Sequence, residues 1–240
     1  MLLANASRMP HNPRRVGAGA PRRTQLLREK EPAISFPESP AIAALAARGR
    51  RATYRKNTIL IDEGEVSDGI YVILSGKVRV FSMDADAREI TYARLGSGDY
   101  FGEMSLDGGS RSASIITEEL TECSVLTYVQ VRQYLADNPD FAFELLVTVI
   151  RRAREATLLA RGLALDGAYV RLKAFLEREA AVRPDGTRMV EEKLTQHEIA
   201  SRIGCGREMV SRIMKKLEEG GYIGERDHRI VIKRMLPRKW

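Results

Sequence analysis

Short apolar runs alternate with glycine-rich turns across the middle of the chain. Eight of the 19 glycines fall between Gly64 and Gly109, and the runs between them are rich in β-branched residues. From Lys77 to Val80 polar and apolar residues alternate, as they do in a half-buried strand. The runs that we predict as strands cover residues 58–61, 69–74, 77–81, 90–95, 114–117 and 123–128. Many short strands at this spacing predict a jelly roll or barrel.

A helical period replaces the strand pattern from Asp137 onward. One stripe with few charges recurs at three- and four-residue steps and consists of Phe141, Leu145, Val149, Arg152, Ala156, Leu159 and Leu163. A helix of nearly thirty residues is about 40 Å long, which is more than one small domain covers. We therefore predict that residues 137–166 pair with the same helix of a second subunit. Packing of this helix on its own barrel is the alternative.

The long helix is expected to end at Asp166-Gly167, which is a candidate hinge between the two halves of the chain. Asp166 can cap a following helix that runs from Ala168 to about Ala181. Residues 183–186 then combine proline, aspartate and glycine, and this combination predicts a turn.

Two short helices around a glycine are predicted between residues 195 and 219. Thr195 and Glu198 have the spacing of a capping box, which satisfies two backbone donors at a helix start. Gly204 lies where the chain must turn sharply, and a second helix is expected from residue 206 or 207 to 219. The apolar residues that face each other are Ile199, Ala200 and Ile203 on the first helix and Val210, Ile213 and Leu217 on the second. This arrangement predicts a helix-turn-helix.

The exposed face of the second helix has the chemistry of base reading. Glu208, Ser211 and Arg212 share one face, with Arg207 beside them. Arginine can bind guanine through two hydrogen bonds, glutamate accepts from cytosine, and serine serves several bases. A solvated surface helix with ordinary salt bridges is the alternative. Residues 222–232 predict a hairpin wing, whose cations are expected at phosphates: Arg226, Arg229, Lys233 and Arg234.

The charge distribution indicates a division of labour along the chain. Residues 41–150 carry 16 acidic and 11 basic side chains, a balance of −5, whereas residues 195–240 carry 6 acidic and 11 basic ones, a balance of +5. A basic end suits a polyanion such as nucleic acid. Residues 1–34 contain seven basic side chains, several prolines and few large apolar groups, which predicts a disordered basic tail.

Several classes of protein are disfavoured by what the sequence lacks. Two cysteines and three scattered histidines have no metal-ligand spacing, so neither a metal nor a prosthetic group is expected. No apolar run approaches the roughly 18 residues that cross a bilayer, and no secretory signal is recognisable. Nucleophile-elbow and phosphate-loop motifs are also missing. We therefore expect a cytoplasmic protein that is not an enzyme and does not bind a membrane.

A glycine-rich loop between two predicted strands carries a candidate anion site. Arg111 can neutralise a cyclic phosphate, and backbone N–H groups at Gly102, Ser112 and Ala113 can hold the phosphate oxygens. Glu103 can accept a hydrogen bond from a sugar hydroxyl. A buried pair of Glu103 and Arg111 that only holds the loop is the alternative.

These residues give the chain a resemblance to the Crp/Fnr family of transcription regulators. The similarity covers residues 50–240, with the loop of residues 102–113 and the helix-turn-helix in the family's order and residues 69–76 as a third marker. The resemblance implies an α+β fold: an N-terminal cyclic-nucleotide-binding β-roll (jelly roll), a long dimerisation helix and a C-terminal winged helix-turn-helix. It also implies a homodimer that binds a palindromic site in double-stranded DNA under allosteric control by a cyclic nucleotide. RNA polymerase is a further candidate partner.

The resemblance also assigns roles to individual positions. Glu103 would bind the ribose hydroxyl, Arg111 and Ser112 the cyclic phosphate, and Thr157 the adenine, with contact across the dimer as an option. The candidate ligand-binding residues are Gly102, Glu103, Met104, Arg111, Ser112, Ala113 and Thr157. The candidate DNA-binding residues are Thr195, Gln196, Gly206, Arg207, Glu208, Ser211, Arg212 and Lys215, among which Arg207, Glu208 and Arg212 match the family's base-reading positions.

Two departures from the family pattern leave the effector open. Only seven residues separate Glu103 from Arg111, fewer than expected for members that bind cAMP, and Ala156-Thr157 stands where the long helix usually has a polar pair. cAMP is the expected effector, and cGMP, cyclic di-GMP or DNA binding without any effector are the alternatives. The predicted domains are a tail (1–34), a sensor (35–136), a dimerisation helix (137–166) and a DNA-binding domain (167–240).

Overall fold

The computed structural model describes residues 39–238, and the predicted basic tail lies outside these residues. The N-terminal elements are α1 (Pro40–Ala46), β1 (Arg50–Tyr54), β2 (Ile59–Ile61), β3 (Gly69–Ser75), β4 (Val78–Met83), β5 (Glu89–Leu95), β6 (Tyr100–Phe101), β7 (Ser114–Thr117), β8 (Thr121–Thr127), α2 (Tyr128–Asp137) and α3 (Pro139–Leu165). The C-terminal elements are α4 (Ala168–Glu179), β9 (Ala180–Val182), β10 (Arg188–Val190), α5 (Gln196–Ile203), α6 (Arg207–Glu219), β11 (Ile223–Arg226) and β12 (Arg229–Ile232).

Strands β1 to β8 form two antiparallel four-stranded sheets, which we call the roll. Their strand orders are β1-β8-β3-β6 and β2-β7-β4-β5, so neighbours in space are mostly distant in sequence. The apolar side chains between the sheets include Ile73, Val78, Phe101 and Cys123, all of them buried. The prediction of a jelly-roll-like domain is confirmed, because each of the six predicted runs contains a strand.

The sequence pattern missed some elements of the roll and misplaced two boundaries. Strand β1 is mostly polar and so carries no apolar run, yet it pairs with β8 along all five of its residues. Strand β8 ends at Thr127 because that residue caps α2 through a capping box with Gln130. The long helix begins at Pro139, two residues later than predicted, because Asn138 separates it from α2.

The long helix α3 has an inner and an outer face, and the predicted stripe lies on the inner one only in part, since Val149 and Leu163 are 37% and 38% exposed. Phe141 is buried in the roll's second apolar cluster, with Leu145 packed against that cluster, and Arg152 hydrogen-bonds to Tyr100. The prediction that this stripe meets a partner helix is therefore wrong for Phe141, Leu145 and Arg152, which contact their own protomer. A second face is exposed in the single chain and carries Phe143, Leu146, Val147, Ile150, Leu158 and Leu165.

The C-terminal part combines three helices with a small sheet of order β11-β12-β10-β9 around one apolar cluster. Asp166 does not cap α4 as predicted, since Gly167 occupies the N-cap position without a side-chain hydrogen bond and Asp166 is the C-cap of α3. Helix α4 ends at Glu179, slightly before the predicted end, because the next residues pair as the hairpin β9–β10. The predicted turn at residues 183–186 closes that hairpin.

None of the helices within residues 39–238 combines the length and the apolar character that a membrane span requires.

Gly76, in the turn between β3 and β4, is expected to be essential for the roll. Its φ is +91°, and a Cβ built there would lie 2.5 Å from the Leu120 carbonyl oxygen and 2.7 Å from the Thr121 Cα. Gly64 has a similar φ of +85° with nothing within 4 Å, so Gly64→Ala tests the backbone strain alone. We expect Gly64→Ala to lower the free energy of unfolding by about 1 kcal/mol and Gly76→Ala by about 3 kcal/mol or more. Urea unfolding of the whole chain measures both, and equal losses would contradict the steric argument.

Candidate functional site

The loop predicted to bind an anion connects β6 to β7. Strand β6 pairs with β3 and ends at Phe101, after which Gly102 turns the chain into a short 3-10 helix, Glu103–Ser105. The loop returns through Arg111 to the start of β7. Both candidate charged residues are buried there, Glu103 with 5% and Arg111 with 4% of its surface exposed.

The Arg111 guanidinium is held by neutral acceptors. Its Nε donates to the Ser67 hydroxyl at 2.9 Å, one terminal nitrogen donates to the Gly102 carbonyl at 2.9 Å and the Ser105 hydroxyl at 2.8 Å, and the other donates to the Gly69 carbonyl at 2.6 Å. Within residues 39–238 no carboxylate lies within ion-pair distance of it. Burial therefore lowers the pKa of Arg111, because the positive form loses solvation.

Glu103 pairs with Arg152 of α3 rather than with Arg111. One terminal nitrogen of Arg152 lies 2.5 Å from Glu103 Oε1, and the other donates to the Tyr100 carbonyl at 2.7 Å. The predicted alternative of a Glu103–Arg111 pair is therefore wrong. Sequence reasoning did not assign Arg152 to this site, although a lone cation within a stripe of few charges was a usable signal.

The other predicted ligand-binding residues occupy different positions around this loop. Ser112 is exposed, and its hydroxyl lies 3.5 Å from the sulfur of Met104, which is also exposed. Ala113 is buried beside the start of β7. Thr157 is exposed on α3 and its hydroxyl donates to the Ala153 carbonyl of the same helix at 2.9 Å. Because Thr157 follows Arg152 by five residues, it lies about 140° around the helix and points away from its own Glu103.

The helix-turn-helix forms as the sequence predicts. Thr195 caps α5, its side chain accepts from the Glu198 N–H, and the Glu198 carboxylate accepts from the Thr195 N–H. Gly204 ends α5 in the left-handed conformation at φ +62°, which costs glycine little. Val210 and Leu217 of α6 are fully buried against α4 and α5. These contacts fix the direction in which the opposite face of α6 points.

That opposite face of α6 is exposed at its start in the part of the chain that the structure describes. Arg207, Glu208, Arg212 and Lys215 are exposed, and Ser211 is half-buried. Gly206 is the N-cap of α6, and Thr195 and Gln196 are exposed at the start of α5, so the N-termini of both helices are accessible. The start of α6 lacks a side-chain cap, so its first backbone N–H groups are free to donate to a phosphate and carry partial positive charge.

The predicted wing is the hairpin of β11 and β12. Asp227 and His228 both have positive φ, +53° and +61°, as the two central residues of a type I′ turn do. Arg229 donates to the Glu191 carbonyl at 2.7 Å, and Arg226 lies 3.5 Å from the Asp185 carboxylate. These contacts attach the wing to the segments on either side of β10. Two wing cations, Lys233 and Arg234, follow directly after β12.

Comparison with known protein families matches both parts of the chain. The cyclic nucleotide-binding domain matches residues 51–138, which contain the roll and α2. The Crp-like helix-turn-helix domain matches residues 170–235, which contain α5, α6 and the wing. The first match includes the loop around Arg111, and the second includes the exposed face of α6.

Comparison with individual proteins gives the same result. The cAMP-activated global transcriptional regulator CRP of Haemophilus influenzae is 32% identical over 186 residues, which are 75% of this chain and 82% of CRP. CRP-like protein Clp of Xanthomonas oryzae is 27% identical over 221 residues, 87% of this chain and 94% of Clp. The structure of the c-di-GMP responsive global regulator CLP of Xanthomonas campestris superposes with a TM-score of 0.72 at 24% identity, covering 82% of this chain and all of that one. The chain therefore belongs to the Crp/Fnr family, as a DNA-binding transcription regulator with a cyclic nucleotide-binding domain.

Proposed function

We propose that this regulator binds a palindromic DNA site as a homodimer and that a cyclic nucleotide, first of all cAMP, controls its affinity for DNA. The proposal retains the domains set out from the sequence: a sensor at residues 35–136, a dimerisation helix at 137–166 and a DNA-binding domain at 167–240. It acts through binding and not through catalysis.

The observation that carries ligand control is the buried Arg111. A guanidinium in a poorly solvated site is costly unless an anion compensates its charge, and hydrogen bonds to neutral oxygens compensate it only in part. A cyclic phosphate would supply the missing negative charge beside Ser112, and Glu103 would accept from the ribose hydroxyl. Glu103 already shares its carboxylate with Arg152, so a bound nucleotide would also contact a side chain of the long helix.

Two comparisons bear on the choice of effector. The relatives that are 31–32% identical are named cAMP-activated. The regulator whose structure superposes with a TM-score of 0.72 is named c-di-GMP responsive. The higher sequence identity of the cAMP-activated relatives supports cAMP as the first effector to test. DNA binding without an effector is the second candidate, because protein groups alone satisfy four Arg111 donors and pair Glu103 with Arg152.

Calorimetric titration with cAMP, cGMP and cyclic di-GMP tests the effector. We expect cAMP to bind the wild-type chain and Arg111→Lys to weaken that binding about 10- to 100-fold, because lysine keeps the charge but loses the fork of donors. Arg51→Lys is the matched control, since Arg51 is exposed and its nearest carboxylate is Glu122 on β8, at 3.6 Å.

Three outcomes of the titration separate the alternatives. Binding of cyclic di-GMP alone would replace cAMP as the effector. If none of the three nucleotides binds, ligand control is contradicted but DNA binding is not, and a regulator that needs no effector is favoured. Equal losses in Arg111→Lys and Arg51→Lys would contradict the role of Arg111.

The exposed face of α6 is expected to read bases. Arg212→Ala should weaken binding to a selected operator by about 1–3 kcal/mol and relax the preference at one position of each half-site, because a bidentate contact to a base is lost. Lys233→Ala should instead weaken all sequences about equally and make binding less dependent on salt, because its loss removes a phosphate contact. Fluorescence anisotropy on the operator and on single-base variants measures both. An Arg212→Ala effect that is the same for every sequence would contradict base reading.

The exposed apolar face of α3 is expected to hold the dimer. Ile150 is 42% exposed in the single chain, and burying an isoleucine side chain contributes about 1.5–3 kcal/mol. Because the interface contains two copies, Ile150→Glu should raise the dimer dissociation constant at least about 100-fold, as measured by sedimentation velocity. Val129→Glu, on α2 and 69% exposed, is the control. A variant Ile150→Glu that remains dimeric would contradict this interface.

A further inference from the structure

Strand β5 of the roll packs directly against α5, the first helix of the helix-turn-helix. The hydroxyls of Thr91 on β5 and Ser201 on α5 lie 3.2 Å apart, and both residues are buried. Next to this pair, a Cβ built on Gly204 would come within 3.5 Å of Ile90 Cδ1 and 2.5 Å of Leu163 Cδ2. The sensor, the long helix and the turn of the helix-turn-helix therefore meet at one place.

Arg94, also on β5, is the charged centre of this contact. Its Nε donates to both carboxylate oxygens of Glu118, which follows β7, at 2.8 Å. Its terminal nitrogens lie 4.0 Å from Glu192 and 3.8 Å from Glu198. One guanidinium thus faces a carboxylate of the sensor and two carboxylates of the DNA-binding part.

Two of the carboxylates near Arg94, Glu192 and Glu198, are held by further hydrogen bonds within the DNA-binding part. Glu198 accepts from the N–H and the hydroxyl of Thr195 in the capping box of α5, at 2.7 and 2.8 Å. Glu192 accepts from Arg202 of α5 at 2.6 Å. A shift of Arg94 relative to these carboxylates would therefore strain contacts that hold the start of α5.

The contact borders a cavity of about 310 Å³ between the sensor sheet and α5. Its lining includes the cations Lys56, Arg79 and Arg94, the imidazole of His197, and four carboxylates, Glu89, Glu118, Glu192 and Glu198. Arg79 pairs with Glu89 and Glu118, both of the sensor, whereas Arg94 reaches across the cavity. The acidic majority makes this space unsuited to an anion, so we assign the cluster a positioning role.

Docking of α5 leaves the base-reading surface open. Arg207 and Arg212 of α6 remain exposed while Ser201 and Gly204 lie against the sensor and α3. The docked arrangement is therefore compatible with DNA contact. It also determines where the recognition helix stands relative to α3, the helix through which two protomers are proposed to pair.

We propose that Arg94 is a positioning residue for DNA binding: by joining Glu118 of the sensor to Glu192 and Glu198, it fixes the separation of the two recognition helices in the dimer. The inference rests on the DNA-binding function and on the proposed homodimer. Half-sites must lie about one helical turn apart, near 34 Å, to meet both recognition helices at once. A loosened α5 would let each helix find its half-site at other separations.

The test compares operators that differ only in half-site spacing. A selected palindrome and a version with two base pairs inserted at its centre are titrated with wild-type protein and with Arg94→Gln, which keeps a polar side chain and removes its charge. The spacing ratio is the dissociation constant for the lengthened operator divided by that for the native one. We expect this ratio to fall about fivefold or more in Arg94→Gln, mainly through weaker binding to the native spacing. Affinity for an isolated half-site should not change.

Two further variants separate positioning from general damage to the fold. Arg79→Gln is the matched control, because Arg79 lies in the same cluster but, within residues 39–238, forms ion pairs with carboxylates of the sensor alone, Glu89 and Glu118, and its spacing ratio should equal that of the wild type. Thr91→Val weakens the same contact at a different residue, because it removes the hydroxyl pair with Ser201. It should also lower the spacing ratio. Thr91→Val keeps the test available if Arg94→Gln does not fold.

Several results would overturn the inference. It is contradicted if Arg94→Gln or Thr91→Val folds, dimerises and keeps the wild-type spacing ratio, or if Arg79→Gln lowers the ratio as much as they do. Tighter operator binding by Arg94→Gln would also contradict it, since the contact would then hold the recognition helix away from DNA. If the wild-type protein binds both operator spacings with equal affinity, the proposed homodimer is contradicted, and the inference fails with it.

Discussion

A guanidinium enclosed in a small β-roll needs both its donors and its charge satisfied, and the sensor is organised around this requirement at Arg111. Two backbone carbonyls and two hydroxyls satisfy its donors, and they come from the loop before β3, from β3 itself and from the turn after β6. The same four contacts therefore hold together segments that are distant in sequence. None of these four partners carries a negative charge, so an anion bound beside Arg111, as proposed above, would add the charge compensation that neutral acceptors do not supply.

Helix α3 connects this requirement to the rest of the molecule because its faces have different partners. The inner face places Phe141 in the roll and Arg152 against Glu103, so the loop between β6 and β7 and the helix are in direct contact. The outer face carries exposed apolar side chains such as Phe143 and Ile150. Since a helix is a stiff rod on this scale, a change at Arg152 displaces both faces together.

The parts that sequence reasoning predicted are those determined by local chemistry. The capping box of Thr195, the glycine turn at Gly204 and the exposed face around Arg212 depend on residues within one turn or one helix, and the structure has each of them where it was expected. The pairing of Glu103 with Arg152 joins residues 49 positions apart and depends on how α3 packs, which no local pattern records. The polar strand β1 was missed for the same reason, because its pairing with β8 is a tertiary contact.

The short strand β7 joins the two charged centres of the chain. Arg111 lies just before it, and Glu118, the carboxylate that holds Arg94 on the sensor side, follows it directly. Seven residues of extended chain cover only about 23 Å, and β7 is paired on both sides, with β2 and β4, so it moves as part of a sheet and not as a free segment. A displacement of Arg111 by a bound anion would therefore reach the contact with α5 through backbone hydrogen bonds as well as through α3. The loop at Arg111 and the contact with α5 are thus connected twice, once through β7 and once through α3, so the proposed control of DNA binding would have two routes through the molecule.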